Sequence, residues 1–139
     1  MSTIDTERFG TDIYVPIDPD EEIRVTPTGD LQSQTGYANL RHALESCAVT
    51  TPGELIHRPE YGGGLIEAVE TANTPTGRAR LSNKLSRSLL RDARYGEISV
   101  AAAQGLPSDP TRREAVTVTV TATPRGDDSA MVVTLTAAE

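Results

Sequence analysis

At 139 residues with one cysteine, Cys47, the chain is sized for one domain and excludes an internal disulfide or a cysteine-built metal cluster. A formal net charge of -7 argues against sequence-independent nucleic-acid binding by the whole surface. No apolar run approaches the roughly 20 residues of a membrane-crossing helix, and residues 1–7 lack the basic-then-apolar pattern of a signal peptide, so the expectation is a protein made and kept in a cytoplasm.

Phe9 and four tyrosines are the only aromatics, so Leu, Ile, Val and Ala must fill the core. Charge is uneven along the chain. Residues 1–30 hold eight acids against Arg8 and Arg24, whereas residues 71–96 hold Arg78, Arg80, Lys84, Arg87, Arg91 and Arg94 against Asp92 alone. Residues 1–30 read as an extended N-terminal arm, with Ile13-Tyr14-Val15-Pro16-Ile17 and Ile23-Arg24-Val25 as one or two short strands around an acid-rich turn. Such an arm is either a loosely held terminus or a segment that adds to a partner's sheet.

Residues 31–139 read as a single domain. Leu40, Ala43, Leu44 and Cys47 recur at helical spacing behind Thr35 and Gly36, which predicts a first helix over residues 36–48. Cys47 lies on its apolar face and reads as a buried, inert thiol; His42 reads as a partly exposed surface histidine. Residues 50–65, T-T-P-G-E-L-I-H-R-P-E-Y-G-G-G-L, surround the pair Leu55-Ile56 with Pro and Gly turns, predicting sharp turns on either side of one brief extended segment. Leu65, Ile66, Ala68 and Val69 then suggest a short second helix ending near Asn73.

Thr74-Pro75 is a helix start, with Thr as N-cap and Pro at the first helical position, where its missing N–H costs nothing. The third helix is expected over residues 75–93. Leu81, Leu85 and Leu89, supported by Ala93, form one face of it, and Arg80, Lys84, Arg87, Arg91 and Arg94 form another. Five cations on one face repel one another. The surface that suits them best is an acidic protein, because aromatic interleaving and nucleic-acid motifs are absent.

After Gly96 the period becomes two. Ile98, Val100 and Ala102 alternate; Val116, Val118 and Val120 alternate with Thr117, Thr119 and Thr121; residues 124–128 turn; residues 131–136 return. Arg125-Gly126-Asp127 is read as a hairpin turn. The fold class is therefore α+β: two or three helices packed on a C-terminal antiparallel sheet of about three strands.

Catalytic, metal and cofactor patterns are not apparent. Glu54 and Glu60 form a carboxylate pair of the kind a glycosidase uses, but spacing in sequence does not supply the unlike environments that an acid and its partner need. His42 and His57 come without a metal-binding motif, and Gly62-Gly63-Gly64 lacks the lysine and the spacing of a phosphate loop.

Residues 29–100 resemble the baseplate wedge proteins of contractile tails, the W-like and sheath-initiator family often labelled lysozyme-like. The resemblance is carried by Gly29-Asp30-Leu31, Gly36, Asn39-Leu40 and Ala43-Leu44, then by Thr51-Pro52-Gly53-Glu54-Leu55, His57-Arg58-Pro59-Glu60-Tyr61-Gly62 and Leu65. Pro52, Gly53, Glu54, Pro59, Glu60, Tyr61 and Gly62 are its signature loop. Where many members carry an acid-Pro-Arg triplet, this chain reads Asp92-Ala93-Arg94.

The resemblance implies a non-enzymatic baseplate part of a virion tail or injection particle, present in several copies of a symmetric assembly. Its implied partners are sheath protein, wedge proteins and tube or hub proteins, with no nucleic acid or membrane. The C-terminal strands, through Val116, Val118, Val120, Val132, Thr134 and Thr136, would start sheath polymerisation by strand addition. The alternative is a small peptidoglycan-cleaving enzyme delivered with the tail.

Overall fold

A computed structural model describes residues 9–18, 20–70 and 74–137, except the side chains of residues 68–70. In chain order these form β1 (Thr11–Ile13), β2 (Ser33–Thr35), α1 (Gly36–Val49), α2 (Leu65–Glu70), α3 (Pro75–Leu90), β3 (Tyr95–Gln104), β4 (Val116–Pro124) and β5 (Met131–Ala137). The class is α+β, with a two-stranded sheet and a three-stranded antiparallel sheet. Residues 1–8 of the arm and the expected end of the second helix near Asn73 lie outside the described residues. The chain divides into two compact units, Met1–Ser46 and Cys47–Glu139.

In the first unit, β1 runs antiparallel to β2 with Thr11 opposite Thr35, and Tyr14 N–H extends the ladder to the Gln32 carbonyl at 2.7 Å. Gln32 N–H turns instead to the Arg24 carbonyl, and Val25 bridges Leu31. Residues 15–18 and 20–23 therefore bulge from one continuous line of backbone pairing. Of the expected arm segments, the first meets this line only at Ile13 and Tyr14, because the strand is Thr11–Ile13, and the second only at the single bridge of Val25.

Side chains hold the bulge. Asn39, buried on α1, donates from Nδ2 to the Phe9 carbonyl at 2.9 Å, and the Phe9 ring lies 5.1 Å from Tyr37. His42, partly exposed as expected, places Nε2 2.6 Å from the Val15 carbonyl, with the Tyr14 ring 5.6 Å away. Glu21 accepts from the Tyr14 hydroxyl and pairs with Arg24, whose guanidinium covers the Tyr14 ring. The hydrogen bond to Glu21 is the main cause that raises the Tyr14 hydroxyl above its ordinary pKa.

In the second unit, α3 starts where local chemistry demands. Thr74 Oγ1 accepts from Gly77 N–H at 3.0 Å and Pro75 occupies the first turn. Leu81, Leu85, Ser88 and Leu89 are its buried residues, and the helix packs against β3. It ends at Leu90 rather than at residue 93. Arg91 caps it, and Asp92 N–H bonds to the Leu89 carbonyl in a closing turn.

The sheet order is β3-β4-β5. Val100 and Val133 both stand opposite Val120, and Ala102 and Leu135 both stand opposite Val118, so one face is a continuous aliphatic layer. Val116, Val118, Val120, Ala122 and Val133 are buried there. The alternate residues Ser99, Ala101, Thr119, Thr121, Val132 and Thr134 occupy the other face. A register shift between Tyr95 and Glu97 marks the entry to β3, and Tyr95 itself is buried. The expected three-stranded C-terminal sheet is present, with β4 in its centre.

Candidate partner-binding surfaces

Residues 50–64 form a bracket built of turns. Glu54 N–H bonds to the Thr51 carbonyl, Arg58 N–H to the Leu55 carbonyl and Tyr61 N–H to the Arg58 carbonyl. The expected brief extended segment at Leu55-Ile56 is absent, because the Leu55–Arg58 turn closes over it and leaves Ile56 88% exposed. Gly63 N–H then reaches the Cys47 carbonyl at 2.8 Å and Gly64 N–H the Thr50 carbonyl at 3.0 Å. At Gly62, where φ is 121°, a Cβ would stand 2.2 Å from the Thr50 carbonyl oxygen; at Gly63 it would stand 2.7 Å from Leu85. The first approach requires glycine, and at the second a side chain would have to displace the end of Leu85.

Ser88 ties the bracket to α3. Its Oγ accepts from Gly62 N–H at 2.9 Å and from the Cys47 thiol at 3.4 Å. Spacing alone does not single out Ser88, yet a serine among Leu81, Leu85 and Leu89 carries a signal of its own: a polar group on a buried stripe must find a partner. Cys47 is buried as expected, and burial raises its thiol above the ordinary pKa against the opposing hydrogen bonds of Ser88, Tyr61 and Gly62. Tyr61 is pushed up to about 12, first by burial and then by Cys47, so its hydroxyl stays protonated at neutral pH.

The carboxylates of the signature loop serve the bracket and its rim. Glu54 Oε2 accepts from Thr51 N–H at 3.0 Å, and Glu60 lies 3.4 Å from Arg91. Both are exposed. Pro52 is half-buried and Pro59 exposed. Among the described residues no group of three or more His, Cys, Asp and Glu is placed to hold a metal ion, and no helix is long and apolar enough to cross a membrane.

The basic stripe is shorter than its spacing predicts. Arg80, Lys84 and Arg87 are exposed along α3, and Arg91 continues the line at the cap. Arg94 leaves it: beyond the helix end it folds back on Asp92, with Nε 2.9 Å from Oδ1 and Nη2 2.6 Å from Oδ2. Burial alone would lift the Asp92 carboxyl, but the side-chain and backbone hydrogen bonds from Arg94 hold it below the ordinary carboxylate value. A cleft of about 450 Å³ opens here, lined in part by Arg58, Glu60, Tyr61, Ser88, Arg91 and Asp92.

The C-terminal strands divide into two roles. Val116, Val118 and Val120 are buried on the central strand β4, so a partner's side chains do not reach them; this corrects their expected place on the sheath-facing surface. Val132, Thr134 and Thr136 stand exposed on β5, an edge strand of the sheet.

No protein-family model matches the chain, and no curated protein does. Its fold is similar to that of a chain in a solved structure described as "The baseplate complex from the type VI secretion system". The TM-score is 0.56 at 15% sequence identity, over 73% of this chain and 91% of that one. At that identity the likeness defines a shared α+β architecture.

Proposed function

We propose that this chain is a structural component of a contractile-type baseplate, joining wedge to tube and starting sheath polymerisation by strand addition at β5. The likeness that spans 91% of a baseplate-complex chain carries the first part of this reading. The edge position of β5 supports the second: its Val132, Thr134 and Thr136 project no charge, and natural edge strands that must stay solitary carry charges or prolines. Backbone hydrogen bonds from a sheath strand would supply much of the contact, and the alternation of Val and Thr would set its register. Sheath, wedge and tube or hub proteins are the partners in this reading, in several copies around a symmetric particle. Glu54 and Glu60, engaged in a turn and an exposed ion pair, give the peptidoglycan-cleaving alternative no support.

The test places lysine at Val132, Thr134 and Thr136 together. These side chains face outward, so the variant folds with an unchanged circular dichroism spectrum, and baseplates carrying it assemble without full-length sheath in electron micrographs. Sheath of normal length on those baseplates would overturn the strand-addition mechanism.

A further inference from the structure

We infer that the flank of α3 bearing Arg80, Lys84, Arg87 and Arg91, with the cleft at its end, is a docking surface for an acidic protein segment. This goes beyond the strand-addition reading and stands on a different element.

The four cations succeed one another at intervals of four, three and four residues. They form a continuous line about 16 Å long on one helix flank. Like charges at this spacing destabilise an isolated helix, and Arg80, Lys84 and Arg87 have no ion-pair partner among the described residues. A bound row of carboxylates would relieve that repulsion.

The end of the line already demonstrates the contact. Arg91 takes the Glu60 carboxylate at 3.4 Å, with side chains 57% and 64% exposed. Such a solvated pair contributes little, so an incoming carboxylate exchanges with it at small cost. Arg58 lines the same cleft, its guanidinium 5.8 Å from the Tyr61 ring centre.

Acidic protein fits better than nucleic acid on two grounds. The chain as a whole carries a net charge of -7, which opposes the approach of a long polyanion. Among the described residues, none of the aromatic side chains is exposed, so no base-stacking platform accompanies the cations. A short segment with carboxylates at matching intervals meets the stripe without meeting the rest of the surface.

The experiment measures fluorescence anisotropy of the full chain with a labelled alanine-based helical peptide whose four glutamates follow the same four-three-four spacing. Its controls are the same peptide with glutamines and a single-stranded DNA of equal length, all at low salt. The glutamate peptide binds about tenfold or more tighter than the glutamine peptide and tighter than DNA. Lys84→Glu with Arg87→Glu removes most of that difference, while Arg113→Glu with Arg112→Glu, the same charge change elsewhere, leaves it within about twofold. Equal binding of the two peptides, preference for DNA, or equal loss in both double variants would each overturn the inference. Sheath assembly is untouched by any of these outcomes, so its failure and that of the docking surface are separable.

Discussion

Gly62 and Gly63 are neighbours in the bracket, and each resists a side chain for a different reason. A methyl on Gly62 meets the Thr50 carbonyl in a left-handed conformation that alanine adopts at a cost, whereas a methyl on Gly63 meets the movable end of Leu85. Gly62→Ala should therefore cost about 3 kcal/mol or more and Gly63→Ala about 1–3 kcal/mol, read from urea midpoints. Asp92 offers a residue-level pH signature. Its carboxyl is held below the ordinary value in the fold, so its stabilisation is present above the unfolded-state pKa and is lost as pH falls through the folded one. Asp92→Asn should lower stability by about 1 kcal/mol at neutral pH, the pair being partly solvated, and the gap to the parent should close in acid.

Helix α3 is the element whose limits show how far local rules reach. Its start is local, because the Thr74 hydroxyl and Pro75 act within one turn. Thr74→Ala should cost about 1 kcal/mol in a denaturant titration, the typical worth of an N-cap. Its end is not local: the apolar spacing continues to Ala93, yet the helix stops at Leu90 because Asp92 and Arg94 satisfy each other in a turn and the chain must enter β3. The same pairing withdraws Arg94 from the stripe. Helix α1 carries Cys47 with its raised thiol pKa, buried beside Ser88, so alkylation by iodoacetamide should be slow in the native protein and rapid after unfolding.

At the scale of the molecule, the central position of β4 decides which experiments can speak to function. Truncation before residue 113 removes Val116, Val118, Val120 and Val133 from the core, so the remaining second unit should lose its cooperative thermal transition. Loss of sheath in such a truncation would report unfolding, whereas outward lysines on β5 alter the edge and leave the aliphatic layer in place. The sheet's two faces differ for the same reason: β4 shares its Val side with β3, β5 and the core, and its Thr side is left to solvent.

What the sequence determined by itself is whatever depends on neighbours a few residues apart: the first helix through its spacing, the start of α3 through Thr74-Pro75, and the strands through a period of two, Ile98, Val100 and Ala102 in β3 and Val against Thr in β4. The turns around residues 50–64 are legible as turns, but the exposure of Leu55-Ile56 is not, because two apolar residues give no local sign of being left outside the core. Only the tertiary structure decided that Ser88 receives Gly62 N–H, that Arg94 turns to Asp92, and that Val116, Val118 and Val120 lie on a central strand rather than an edge. Strand order and long-range hydrogen bonds join residues far apart in the chain, and neither periodicity nor capping carries information over that distance.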